Sequence, residues 1–155
     1  MPEGIGFAPE EIDQSAPTRA ARLKWVVVVD RDLPAGRAVN AAVCVAAATS
    51  REVTGLLGDD AVDADGGTHP GLPWAGCTIL AADTATLSKI RAKAASSLGT
   101  FVADMPAAAQ HTRVYADYLG TVKETAADDV EYYAVSIVGP RNRVDKIVGK
   151  LPLLS

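Results

Sequence analysis

The sequence predicts an α/β fold in which a sheet lies between two layers of helices. The run at residues 25–29 is short, apolar and β-branched, as in a strand that is buried on both faces. The following segment, residues 37–53, is rich in alanine and free of glycine and proline, which indicates a helix. The strand–helix order recurs four times along the chain. That order is typical of a three-layer α/β/α domain.

The first 20 residues precede this pattern. They contain three prolines and two glycines and show little apolar periodicity, so we expect a flexible N-terminal segment over residues 1–20. Residues 21–155 are predicted to form a single domain, because a chain of 155 residues suits one domain and no repeat is visible.

The middle of the chain gives a loop, two strands and a helix. Residues 54–73 are rich in glycine and aspartate and predict a long loop, and residues 77–80 predict the second strand. Residues 100–104 predict the third strand. Between these strands lies a helix that begins near Asp83 and ends at Gly99, with an apolar stripe formed by Leu87, Ile90, Ala94 and Leu98.

The last third of the chain completes the pattern. A helical stretch is expected from Pro106 through Tyr118, since proline is favoured in the first turn of a helix. Residues 130–138 predict the fourth strand, with Tyr133, Val135 and Ile137 on one face. The final helix has a stripe formed by Val144, Ile147, Val148 and Leu151.

Composition narrows the function classes. The net charge is −4, whereas nucleic-acid binders usually carry a positively charged surface. The acidic net charge therefore argues against nucleic-acid binding, although a local basic patch is compatible with it. One basic cluster lies in the final helix, and either a solvated helix face or a contact with phosphate explains it. Its members are Arg141, Arg143, Lys146 and Lys150.

No segment reaches the ~18 apolar residues of a membrane span, and the acidic N-terminus is unlike a signal peptide. We therefore expect a cytoplasmic protein without membrane contact.

No metal or other cofactor is expected. The two cysteines, Cys44 and Cys77, form no C-x-x-C pair, and the chain has two histidines, so a disulfide or a zinc site is disfavoured. The aspartates at residues 59–65 lack the spacing and the terminal glutamate of a calcium loop.

Several motifs together resemble a known family. Residues 24–29 form a valine-rich strand that leads into D-L-x-x-G at 32–36 and an alanine pair at 41–42. This order is similar to the opening of type II peptidyl-tRNA hydrolases, and residues 109–113 and 138–151 resemble that family's D-A-G-x-T-Q and G-I-G-P…D-K-V-T-G segments. The variant found here, D-L-P-x-G-x-A-x-N-A-A with A-Q-x-T and G-P-x-x-x-V-x-K, is more similar to a bacterial relative, the domain of unknown function 2000.

The resemblance implies a mixed sheet of about four strands, a homodimer, and an ester of tRNA as substrate. Most of the hydrolase's functional positions differ, however: its lysine pair, glutamine, histidine and aspartate fall on Arg37, Val39, Val43, Ala46 and Ala108. Thr112 matches directly. Asp104 could replace the lost carboxylate from a nearby position.

Three residues are candidates for catalysis. Asn40 lies in the first turns of the alanine-rich helix, where its amide could orient a ligand or act as a local cap. Gln110 and Thr112 follow the third strand, and sites in α/β domains gather beyond the carboxyl ends of strands. The threonine hydroxyl could position a water molecule or bond within its own helix.

Four further residues are candidates for ligand binding. Arg37 could hold a carboxylate or phosphate, and His69 and His111 could act as a general base. Tyr115 follows Thr112 by three residues, on the same face if that stretch is helical. Exposed or packed side chains explain each of these residues as well.

Two functions follow from these candidates. In the first, the protein hydrolyses or transfers an acyl group from an aminoacyl- or peptidyl-tRNA-like ester, with Arg37 binding charge, Asn40 and Gln110 orienting the carbonyl and Thr112 positioning water. In the second, it is a non-catalytic, homodimeric ligand-binding protein that keeps the cleft and has lost the hydrolase residues. The partners considered are tRNA and a small acyl ligand, and salt-sensitive binding of tRNA is expected of the first function only.

Overall fold

A mixed four-stranded sheet lies between helices on both of its faces, as the sequence predicts. The computed structural model describes residues 4–155. Three short 3-10 turns, at Pro9–Glu11, Thr18–Ala20 and Ala127–Asp129, join the main elements. In chain order these elements are β1 (Leu23–Asp30), α1 (Ala35–Glu52), β2 (Ala61–Val62), β3 (Thr68–His69), β4 (Thr78–Ala82), α2 (Thr84–Ala95), β5 (Phe101–Pro106), α3 (Ala108–His111), α4 (Tyr115–Glu124), β6 (Tyr132–Pro140) and α5 (Arg141–Val148).

The sheet has the order β4-β1-β6-β5. β1 pairs in parallel with β4 and antiparallel with β6, and β5 is antiparallel to β6. The four valines of β1 are at most 1% exposed, which matches a central strand covered on both faces. The outer edge of β4 is covered by the C-terminal segment, because the Ala81 N–H donates to Pro152 O at 2.9 Å and the Leu154 N–H to Ile79 O at 3.0 Å.

Each face of the sheet has its own core. α1 packs on one face through its buried residues Ala38, Ala41 and Val45. α2 and α5 cover the other face, where Leu87 and Val144 are fully buried. Among residues 4–155, the helices lack the length and continuous apolar character that crossing a bilayer would need.

The predicted helix at 106–118 is two helices. α3 ends at His111, and Thr112 and Val114 adopt extended backbone angles before α4 begins at Tyr115. Both residues are β-branched, which favours extended backbone. The prediction of one helix through Tyr118 was therefore wrong, and Tyr115 and Thr112 do not share a helix face.

A bulge in β6 changes the face that Tyr133 occupies. Met105 pairs with Ala134 and Pro106 with Tyr132, so Tyr133 is the extra residue. Proline has no N–H to donate to the neighbouring strand, which explains a bulge at this point. Tyr133 consequently packs on the α1 side of the sheet, whereas Val135 and Ile137 pack on the α2 side. The prediction that these three side chains share one face was wrong.

The segment before residue 21, expected as a flexible lead-in, contacts the rest of the domain. Phe7 is 5% exposed, its N–H donates to Thr54 O at 2.8 Å, and its ring centroid lies 4.7 Å from that of Trp74. The Arg22 guanidinium bonds Glu11, which lowers the pKa of that carboxyl to about 2. The α1-side core thus includes residues that the sequence analysis placed outside the domain.

Candidate functional site

The candidate site is formed by two helices at one end of the sheet, beyond the ends of the strands. β1 and β5 both run antiparallel to β6, so their carboxyl ends lie at this same end of the sheet. β1 leads from Asp30 into α1, and β5 leads from Pro106 into α3. The start of α1 and the whole of α3 therefore lie next to each other beyond the strand ends, where α/β domains usually bind ligands.

The Gln110 side chain joins α3 to α1. Its Nε2 donates to the carbonyl oxygen of Arg37 at 2.9 Å and to Asn40 Oδ1 at 3.2 Å. These three residues, with Gly36 and Ala109, line an open cleft of about 270 Å³. The structure thus brings together three of the seven candidate residues, and they come from segments 70 positions apart in the chain.

This bond network fixes which way both amides face. The Arg37 carbonyl accepts hydrogen bonds only, so the Gln110 atom beside it is the amide nitrogen. The Asn40 atom facing that nitrogen is then its oxygen, which leaves the Asn40 Nδ2–H₂ group without an intramolecular partner in residues 4–155. Asn40 is exposed and lines the cleft, so this donor is free to bind a ligand.

The first turn of α1 adds further donors. No side chain caps this helix, whose N-cap residue is Pro34. The Ala38 N–H is bonded to Pro34 O, so the N–H groups of residues 35–37 are the unpaired ones that every helix start leaves. Gly36 and Arg37 line the cleft, so their N–H groups and the Arg37 guanidinium add hydrogen-bond donors to it, whereas Gln110 Oε1 is a buried acceptor without a partner in the described chain. The donors suit a ligand oxygen with negative charge or partial negative charge.

Two carboxylates near this end of the sheet, those of Asp104 and Asp30, bond to groups outside the cleft. Asp104 lies on the α2 side of β5, where its Oδ2 accepts from Arg91 Nε at 3.2 Å. Asp30 accepts from the Asp32 N–H at 2.9 Å and from the Thr84 hydroxyl at 3.4 Å. In the described chain, no carboxylate lines the cleft. The expectation that Asp104 replaces the hydrolase carboxylate is therefore wrong, because the sheet separates it from Gln110.

Thr112 and His111 have partners of their own. The Thr112 hydroxyl donates to Ala108 O at 3.0 Å, so it can only accept a bond from water. His111 Nε2 lies 2.8 Å from the Tyr133 hydroxyl, and the two rings meet edge to face at 5.8 Å. Sequence reasoning missed Tyr133, because strand alternation places it on the opposite face and only the bulge turns it toward His111.

The other two candidates lie elsewhere. His69 is in the β2–β3 hairpin, where its Nε2 lies 3.2 Å from Asp63 Oδ2. Tyr115 is 73% exposed and its ring packs on Tyr118 at 5.4 Å. Neither residue lines the cleft or bonds to Arg37, Asn40 or Gln110 within the described chain. In residues 4–155, no three or more histidine, cysteine or acidic side chains are grouped as they would be to hold a metal ion.

The fold and the cleft define a class: a three-layer α/β domain with an amide-lined, donor-rich cleft at the strand ends. The chain belongs to the family described as Protein of unknown function (DUF2000), whose model matches residues 23–155. This confirms the resemblance to the domain of unknown function 2000 that the sequence motifs indicated. The likeness to type II peptidyl-tRNA hydrolases stays a prediction.

A solved structure has the same fold. It is a protein of unknown function from Agrobacterium tumefaciens strain C58, with a TM-score of 0.80 and 17% identity, and the match covers 86% of this chain and 98% of that one. No protein with a curated description matches the chain.

Proposed function

We propose that this protein binds a small acyl ligand, through its carbonyl or carboxylate oxygen, in the cleft formed by Arg37, Asn40 and Gln110. The hydrogen bond from Gln110 Nε2 to Asn40 Oδ1, at 3.2 Å, carries the proposal. It holds the Asn40 amide so that its nitrogen is free to donate, beside a guanidinium and an uncapped helix start. The oxygens of a carbonyl or a carboxylate can accept hydrogen bonds from donors of each of these kinds.

The size and charge of the cleft support this ligand class. At about 270 Å³ it is smaller than a typical drug-sized pocket, and Arg37 is its one charged side chain among the described residues. A single cation with an amide donor suits one carboxylate or one polarised carbonyl. Of the two functions that the sequence predicts, this arrangement corresponds to the non-catalytic binding of a ligand.

Replacing Asn40 by aspartate tests the proposal. Asn40→Asp keeps an acceptor for Gln110 Nε2 but exchanges the free donor for negative charge. We expect the affinity for N-acetylated amino acids, measured by isothermal titration calorimetry, to fall at least about tenfold, the loss that one hydrogen bond to a charged group produces.

The same change at Asn142 is the matched control, because that residue is exposed on α5 at the other end of the sheet. Asn142→Asp should bind as tightly as the unchanged protein. Equal binding by all three proteins, or no binding by the unchanged protein, would rule out an acyl ligand in this cleft.

A second candidate function, cleavage of an aminoacyl- or peptidyl-tRNA-like ester, is favoured by the His111–Tyr133 pair. His111 Nε2 lies 2.8 Å from the Tyr133 hydroxyl, and His111 directly follows the cleft residue Gln110 in the chain. In this function the imidazole would transfer a proton. In this function the donors of the cleft would polarise the ester carbonyl, and the Thr112 oxygen would accept from the attacking water.

Cleavage of N-acetylaminoacyl-tRNA by the purified protein separates the two functions. If the pair transfers a proton, Tyr133→Phe should lower turnover by about 100-fold and Thr112→Ala should lower it too, while Tyr115→Phe should not. No turnover from folded protein would exclude the enzyme and leave the binding function standing.

A homodimer is also proposed, supported by the outward side of α1. Val39 and Val43 are one turn apart on this helix and are 61% and 60% exposed. Apolar side chains that sit together on a surface are candidates for an interface between copies. Sedimentation at the mass of a single chain, 16.1 kDa, would exclude it.

A further inference from the structure

A second cavity lies at the opposite end of the sheet from the cleft. It is formed where β1 and β4 begin and β6 ends, and its volume is about 370 Å³. Thr18 and Arg19 form part of its wall, together with Lys24 of β1, Cys77 before β4, and Arg141 of α5. None of these residues belongs to the acyl-ligand cleft, so the inference is independent of the proposed function.

The cavity is positively charged. Arg19, Lys24 and Arg141 line it, and among residues 4–155 no carboxylate does. Lys24 Nζ bonds Asp145 Oδ1 at 2.6 Å, which offsets one of the three charges. Cys77 also lines the cavity, and a cysteine thiol is mostly neutral at pH 7, so it adds little negative charge. A net positive charge therefore remains in a chain whose total charge is −4.

Arg141 has hydrogen-bonding capacity to spare. Its Nη2 donates to Thr18 O at 3.3 Å and to Ala21 O at 3.4 Å, which are long bonds that hold the guanidinium in place. Its Nε is buried and has no partner within the described chain. Its Nη1 also has no hydrogen-bond partner in residues 4–155 and is not buried, so this group can donate to an anion in the cavity.

We propose that this cavity binds a small, multiply charged anion of the phosphate class. Two net cations favour a dianion over a single carboxylate, and arginine donors match the geometry of phosphate oxygens. The volume admits inorganic phosphate, pyrophosphate or the phosphate end of a small ester.

Calorimetric titration with inorganic phosphate, pyrophosphate and a nucleoside monophosphate tests the site. Arg19 is exposed and makes no hydrogen bond in the described chain, so Arg19→Ala should leave the fold intact and weaken anion binding by about tenfold. Asp145→Asn releases Lys24 from its ion pair and should tighten binding severalfold, a gain that damage to the fold would not produce.

Lys123→Ala is the matched control, because this exposed lysine lies on α4, away from the cavity. It should bind each anion as the unchanged protein does. Stronger binding of the monophosphate assigns the site to a phosphate ester, and stronger binding of the inorganic anions assigns it to free phosphate. No saturable binding of any probe, or unchanged affinity in both Arg19→Ala and Asp145→Asn, would overturn the proposal.

Discussion

Replacing Leu87 by alanine should lower the free energy of unfolding by about 2–5 kcal/mol, the range for truncating a fully buried leucine. Leu87 is 0% exposed and lies in the core between α2 and the sheet, with Val26 and Ile137 among its cluster. The cost has two parts: the methyl groups lose their burial, and the rigid neighbours leave a cavity. Urea unfolding followed by far-UV circular dichroism measures the change.

Leu98→Ala is the matched control for this prediction. Leu98 was expected to extend the same apolar stripe, but α2 ends at Ala95 and the Leu98 side chain is 87% exposed. The same substitution there should alter the free energy of unfolding by no more than about 0.5 kcal/mol. Equal losses at the two leucines would contradict the position that the structure gives to the end of α2.

Ser136→Ala should destabilise the α1 side of the sheet by about 1–3 kcal/mol, because it leaves a buried donor unpaired. Ser136 is 0% exposed, and its hydroxyl accepts from Trp25 Nε1 at 2.8 Å. The Thr49 hydroxyl donates to Val45 O at 2.7 Å, so Ser136 is the donor in the 2.7 Å bond between Ser136 and Thr49. Removing the Ser136 oxygen therefore breaks two buried hydrogen bonds and leaves the Trp25 indole N–H without a partner.

Ser50→Ala provides the comparison, since that serine is exposed on α1 beside Thr49. It should leave stability within about 0.5 kcal/mol of the unchanged protein. A shifted Trp25 emission in Ser136→Ala would report the lost indole bond directly. Unchanged stability in this variant would contradict the buried network.

The elements that could be predicted from the sequence are those with strong local patterns. The valine run of β1 and the alanine-rich α1 needed no tertiary information, because a short β-branched run favours a strand and a long alanine-rich stretch without glycine or proline favours a helix. The prediction of one helix over residues 106–118 was wrong, because the chain is extended from Thr112 to Val114. The preference of two β-branched residues for extended backbone is weak and is outweighed in many other helices, so the sequence alone does not show this break.

The candidate site was predictable only in part. Arg37, Asn40 and Gln110 could be chosen from motifs and from their places beyond strand ends, and the structure brings them together. Tyr133 could not, because a single extra residue in β6 reverses the face of its side chain. His69 and Tyr115 were plausible residue types, but nothing in the sequence shows that a hairpin and an exposed helix hold them elsewhere.

The sequence by itself determined the α/β class, the buried central strand and the family, because these depend on residue patterns along the chain. Only the tertiary structure decided which side chains meet. Gln110 pairs with Asn40, and Arg19, Lys24 and Arg141 cluster around one cavity, although these residues are far apart in the chain. The sheet in turn separates Asp104 from the cleft. Such contacts depend on strand order and register, which local propensity does not encode.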